Sequence, residues 1–122
     1  MTTAAVVLST AGSQEEAERI ATALVDERLA ACVNLVAPIT SIYRWQGAVE
    51  RASEVLLVIK TRRTSARRLI ARLAALHSYE VPEAIVLPIA GGSRPYLQWL
   101  LGETASPPRA RPQARRRASA RK

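Results

Sequence analysis

Ile39-Thr40-Ser41-Ile42-Tyr43-Arg44-Trp45-Gln46-Gly47-Ala48-Val49, followed closely by Glu54-Val55-Leu56-Leu57-Val58-Ile59-Lys60-Thr61, is the stretch on which the fold turns. Ile39, Ser41, Tyr43 and Trp45 alternate with Thr40, Ile42 and Arg44. A period of two sends successive side chains to opposite faces of a strand. Gly47 marks a tight turn, and the next strand runs from Val49 through the β-rich segment 54–61. Two strands joined by a tight turn make a hairpin, here one with long arms. Just upstream, 31–40 is apolar but interrupted by Pro38, which cannot donate to a ladder and predicts a bend or bulge.

Working outward, a helix flanks the hairpin on each side. On the N-terminal side, Ala4-Ala5-Val6-Val7-Leu8-Ser9-Thr10 is a short apolar run, read as a buried first strand that Gly12 ends. Ser13-Gln14-Glu15-Glu16 reads as a capping box, with Ser13 bonding the Glu16 amide and the Glu16 side chain reaching back. Ala17, Ile20, Ala21, Leu24 and Val25 then form one apolar stripe of a helix ending near Leu29. On the C-terminal side, Thr64 or Ser65 is placed to cap a second helix with the stripe Leu69, Ile70, Leu73, Ala74 and Leu76. Its outer face is basic, through Arg67, Arg68 and Arg72. Residues 84–89 read as a final buried strand, Gly91-Gly92 as a turn, and 94–101 as a short helix on which Trp99 packs against the sheet. The order β-α-β-β-α-β plus a terminal helix predicts an α+β, ferredoxin-like sandwich, with two helices on one face of an antiparallel sheet.

Length and charge bound the rest. A chain of 122 residues, 48% hydrophobic, fits one domain with a core of its own. The net charge of +8 is unevenly spread. Residues 103–122 carry seven Arg and Lys against Glu103 alone, a net +6, leaving +2 for residues 1–102. The expected division is therefore a folded domain over 1–102 and a disordered basic tail, rich in Arg, Ala and Pro, over 103–122. Such a tail predicts at most weak contacts with nucleic acid, because a nucleic-acid-binding domain carries its basic patch on the fold. No apolar run approaches the ~20 residues that cross a bilayer. The start of the chain lacks the features of a secretory signal, so a cytoplasmic protein without membrane contact is expected. A single cysteine, Cys32, excludes an intrachain disulfide, a zinc ribbon and a CxxC redox motif.

No phosphate-binding loop, dinucleotide fingerprint, zinc-protease helix or nucleophile elbow is present, and no enzyme is expected. Four positions remain open on their residue types. Cys32, in an apolar strand, is either a small core residue or a group for soft-metal ligation or thiol chemistry. His77, after the last turn of a helix, is either a dipole partner or satisfied surface imidazole, or else a ligand for copper or zinc or a polar group in a pocket. Lys60, closing an apolar strand, either snorkels at an edge or offers a cation to a cleft. Lys60, His77, Tyr79 and Glu83 form the one candidate acid–base cluster for a small anionic substrate. Trp45, at a hairpin tip, is most economically covered by another subunit.

Five ordered segments now read together: Ala31-Cys32-Val33-Asn34, Ser41-Ile42-Tyr43-Arg44-Trp45-Gln46-Gly47, Glu54-Val55 through Lys60-Thr61, His77-Ser78-Tyr79-Glu80-Val81-Pro82-Glu83, and Tyr96-Leu97-Gln98-Trp99. In this order and spacing the chain resembles the CutA family, the divalent-cation tolerance proteins, over roughly residues 4–102. The resemblance implies a tight homotrimer in which the long hairpin pairs with neighbouring subunits. It implies a role in the response to metal ions, with copper or another divalent cation as ligand and Cys32 and His77 as the matching metal positions. It also implies a cleft between subunits lined by Trp45, Lys60, His77, Tyr79 and Glu83, open to a small molecule or a substrate as the alternative. The family segment usually reads His-Pro-Tyr-Glu. The serine at Ser78 is expected to loosen the loop and the orientation of His77.

Overall fold

The computed structural model describes residues 2–104, so the tail expectation for 105–122 lies outside the described residues. The elements follow the predicted order: β1 (Ala4–Ala11), α1 (Gln14–Asp26), β2 (Cys32–Trp45), β3 (Ala48–Arg62), α2 (Ala66–Leu76), β4 (Ile85–Pro88) and α3 (Arg94–Glu103). One 3-10 turn, Arg63–Ser65, leads into α2. Thr104, two residues past the expected boundary at 102, is buried, and its hydroxyl bonds the Leu100 carbonyl at 3.1 Å.

Ser13 starts α1 as predicted: its Oγ accepts the Glu16 amide at 3.1 Å. The helix ends at Asp26 rather than near Leu29, and Arg28 turns the chain with a φ of 61°. Ala17, Ile20 and Leu24 are buried, whereas Val25, expected on the same stripe, is 41% exposed at its margin. In α2, Leu69 and Leu73 carry the packing and Ala74 faces solvent. The Ser65 side chain makes no capping bond, so the 3-10 turn introduces α2 instead.

The sheet order β2-β3-β1-β4, antiparallel throughout, is that of the ferredoxin-like sandwich. The register slips between Val36 and Ile39, which is the bulge that Pro38 predicted; the Ala37–Pro38 bond is cis. Gln46 (φ 50°) and Gly47 (φ 85°) form a two-residue turn between Trp45 and Ala48. Positive φ at both positions matches the right-handed twist of the strands. On the helix side, Val7, Val55, Leu57 and Ile59 pack with Ile20, Leu24, Leu69 and Leu73 into one core. Each such side chain contributes roughly 1.5–3 kcal/mol on burial. A smaller cluster of Ala4, Ala31 and Leu100 seats α3 against the sheet.

Two expectations fail for topological reasons. The last strand is not buried: β4 is an edge strand, with Ile85, Val86 and Leu87 at 48%, 37% and 45% exposure. An apolar run of four residues does not reveal whether a strand lies at the centre or the edge of a sheet. Trp99 does not pack α3 onto the sheet. Leu100 does, while Trp99 is 44% exposed and lies against Tyr96 with ring centroids 5.5 Å apart.

β1 pairs with β3 only from Val55 to Arg62. Beyond that point the hairpin continues as a two-stranded ribbon, Ile39 opposite Glu54 down to Trp45 opposite Ala48. The ribbon exposes Ile42 and Val49 at 63% and 65%.

Candidate functional site

Where the ribbon leaves the sheet, the loop after α2 packs against Thr10 of β1, Glu16 of α1 and Glu54 of β3. His77 anchors that loop. Its side chain is fully buried. Nε2 donates to the Thr10 carbonyl at 2.7 Å, and Nδ1 accepts the Tyr79 amide at 3.0 Å. A carbonyl only accepts and a backbone amide only donates, so these two partners select the Nε2-protonated tautomer. Glu16 Oε2 stands 3.6 Å from Nδ1 and accepts the Ser78 amide at 2.7 Å. Glu16 therefore does not close the expected capping box onto Ser13; its carboxylate accepts the Ser78 amide of the loop and lies by the Gly12 amide. The same bond answers the expectation that Ser78 would loosen it. A proline at that position has no N–H to donate, whereas Ser78 has one and Glu16 holds it.

Burial pushes the Glu16 carboxyl up, but the Ser78 hydrogen bonds, the His77 ring and the Gly12 amide outweigh it, and the group titrates below 4.5. A carboxyl whose folded value is depressed stabilises the fold above its unfolded value and loses that contribution as pH falls through the folded value. Between about pH 6 and pH 3 the urea midpoint is expected to fall more steeply in the parent than in Glu16→Gln. Equal pH slopes would remove Glu16 as a contributor.

Tyr79 is the next link. Its hydroxyl donates to Glu54 Oε2 at 2.7 Å. Burial, then the bond and charge of Glu54, push the phenol well above its ordinary value and keep it a neutral donor. Gly12 permits the approach, since a Cβ there would stand 3.2 Å from the Tyr79 hydroxyl. Together these residues bound a cavity of about 610 Å³. Thr10, Ser41, Tyr43, Trp45 and Glu54 form its sheet wall, with Ile42 beside them. Tyr79, Glu80, Val81 and Glu83 form its loop wall.

The structure thus brings together Trp45, Tyr79 and Glu83 of the predicted cleft, with His77 as the anchor behind them rather than a lining group. Lys60 is elsewhere. It pairs with Val6 in β1 and Cys32 in β2, whereas Thr10, the His77 partner, pairs with Leu56. Four residues of strand separate the two positions, about 13 Å. Lys60 Nζ bonds Asn34 Oδ1, which the Cys32 thiol also approaches at 3.8 Å. Burial and the adjoining Cys32 thiol raise the Tyr96 phenol above its ordinary value. Among the described residues of one chain, neither the expected acid–base cluster nor a Cys32–His77 metal pair comes together. Lys60 is remote from His77, Tyr79 and Glu83. Cys32 lies beside Lys60 and not beside His77, both of whose ring nitrogens are engaged. Among the described residues no three His, Cys, Asp or Glu side chains converge as ion ligands. The sequence reading missed Glu54, Tyr43 and Glu80 as lining groups. Glu54 carried a signal, because it shares the period-two face of Leu56 and Val58 and is a charged residue beside that apolar run.

The fold and the cavity define a ferredoxin-like domain with an acidic, aromatic cavity on its sheet. Comparison with known proteins is narrower. The family model "CutA1 divalent ion tolerance protein" matches residues 5–103. The "Divalent-cation tolerance protein CutA" of Thermus thermophilus is 56% identical over 99 residues, covering 81% of this chain and 96% of the relative. "Protein CutA, chloroplastic" of Arabidopsis thaliana is 48% identical over 99 residues, and this chain spans 54% of that relative's length. A solved structure of the Thermus thermophilus protein superposes with a TM-score of 0.82 at 54% identity, covering 84% of this chain and 99% of that one. The chain belongs to the CutA1 divalent ion tolerance family.

Proposed function

We propose that the chain works as a cytoplasmic homotrimer, a non-enzymatic binding and signalling protein in the response to divalent metal ions. The observation that carries this reading is the unsupported ribbon of β2 and β3. A two-stranded ribbon is marginal in water by itself. This one exposes Ile42, Trp45 and Val49, an apolar surface of the kind that marks an interface. The edges of β2 and β4 would be protected by pairing with other copies. Among the described residues no helix is long and apolar enough to cross a membrane, which accords with this setting.

Copper or another divalent cation is, in this reading, an ion met between chains. One chain keeps Cys32 and His77 apart, while an assembly supplies several copies of each. The metal-tolerance names of the relatives support the ion class. Light scattering at micromolar concentration is expected to give about three times the chain mass of 13.3 kDa; a monomer mass overturns the assembly. Cu(II) calorimetry tests the ligands. Saturable binding lost in Cys32→Ser or His77→Ala supports them, and binding unchanged in both removes them. A second reading, a small-molecule site in the same assembly, is favoured by the cavity at the ribbon's root.

A further inference from the structure

We infer that the start of α2, together with the basic segment that follows α3, is a docking surface for a nucleic-acid duplex, held through its phosphates without regard to sequence.

Charge on the folded part is segregated. Residues 60–72 carry six Lys and Arg and no Asp or Glu, whereas the rest of 1–102 carries five against nine, a net −4. The near-neutral total of +2 conceals this division. Two of the six are engaged elsewhere. Lys60 points away from the helices and bonds Asn34. Arg72 grips Glu27 through Nε and Nη2 at 2.9 and 2.8 Å. Arg67 is exposed and Arg68 partly so, and among the described residues neither is in an ion pair. Arg63 is exposed one turn before Arg67. Arg68 holds its own Nε and Nη2, the edge with which Arg72 binds a carboxylate, buried without an acceptor. An oxygen anion that draws this guanidinium outward satisfies donors that the fold leaves unmet.

The C-terminal segment adds charge at the same place. Arg62, the last residue of β3, donates from Nη2 to the Leu101 carbonyl at 2.6 Å, and Arg28 donates from Nη2 to the Gly102 carbonyl at 3.0 Å. These bonds, with buried Thr104, fix the end of α3 beside the strand end that leads into α2. One 3-10 turn and two helical residues separate Arg62 from Arg67, a rise of about 9 Å. Residues 105–122, which follow directly, hold seven Arg and Lys and no acid. The surface lies at the opposite end of β3 from the exposed ribbon, so a partner that covers the ribbon does not cover it.

Chemistry narrows the partner. Of the chain's 18 Lys and Arg, 16 are Arg, whose planar fork matches phosphate oxygens two at a time. A row of cations attracts a row of phosphates. No Phe, Trp or Tyr occurs over 46–78 or 103–122, so exposed bases would find no ring to stack on. A duplex, which presents its phosphates and keeps its bases paired inside, fits this surface better than a single strand.

Fluorescence anisotropy of a labelled duplex of about 20 base pairs and mixed sequence, titrated with the full chain between about 50 and 200 mM salt, tests the inference. Saturable binding is expected, with log affinity falling linearly against log salt. The double variant Arg67→Gln/Arg68→Gln is expected to bind at least about tenfold more weakly, with the salt slope reduced by about 2. Arg67 is exposed, so Arg67→Gln alone is expected to keep the parent's urea midpoint and to lower the slope by about 1. That single variant decides the matter if the double one does not fold. Absence of binding at low salt overturns the surface. So does affinity that is unchanged in both α2 variants and lost only in Arg115→Gln/Arg116→Gln/Arg117→Gln. Equal affinity for a single strand of the same length overturns the duplex. Inorganic polyphosphate bound at least about tenfold more tightly than the duplex overturns nucleic acid as the partner.

Discussion

His77→Ala is expected to lower the unfolding free energy by about 2–4 kcal/mol. The ring is fully buried and joins three separate parts of the chain: the Thr10 carbonyl in β1, the Tyr79 amide in the loop, and the Glu16 carboxylate 3.6 Å away on α1. Alanine leaves a ring-sized void and takes the partner from both the carbonyl and the amide. Unpaired buried polar groups cost about 1–3 kcal/mol each, and water entering the void recovers part of that. Urea denaturation at fixed protein concentration measures the loss. Hydrogen exchange locates it, since the Tyr79 amide is expected to lose protection while the Leu57 amide keeps its own relative to global unfolding. A midpoint equal to the parent's would mean that the ring anchors nothing.

The second large effect lies in the core. Leu57→Ala is expected to cost about 2–5 kcal/mol. Leu57 is completely buried in β3, paired with Ser9 on one side and Leu35 on the other, and it belongs to the core beneath α1 and α2. Removing its isobutyl group forfeits the transfer energy and leaves a cavity that a tightly packed sandwich closes only in part. Val49→Ala is the informative contrast. Val49 is 65% exposed on the ribbon, so its truncation is expected to cost less than about 0.5 kcal/mol in an isolated chain. A loss approaching that of Leu57→Ala would show that other copies cover the ribbon. The pair of variants therefore reads both the core and the proposed interface. A Leu57→Ala midpoint unchanged from the parent would contradict the core assignment itself.

Much of the site was legible, but not as a site. Trp45, Tyr79 and Glu83 border one cavity, while Lys60 sits about 13 Å along the sheet from the His77 anchor. The cleft expected from the resemblance included all of them, and a single chain assembles only part of it. Glu54 went unassigned because its role depends on Tyr79, 25 residues later, reaching across to it. Glu16 was assigned to the wrong partner for the same kind of reason. A capping box is the best local offer to a Glu three residues after Ser13, but a loop amide 62 residues away takes the carboxylate.

What the amino-acid sequence by itself determined are the features that act within a few residues. The alternation over 39–45, the bulge at Pro38, the turn at Gly47, the Ser13 cap and the stripes of α1 and α2 were all readable. Their physics is local: backbone sterics, side-chain period and nearby hydrogen bonds. Those signals also sufficed for the element order, and the order for the ferredoxin-like topology. Tertiary structure alone decided which strand became an exposed edge, which carboxylate met which amide, and which face of the hairpin roots the cavity. Those outcomes follow from register and from contacts such as His77 to Thr10, 67 residues apart. No local preference encodes them, because their energy appears only after the sheet has closed.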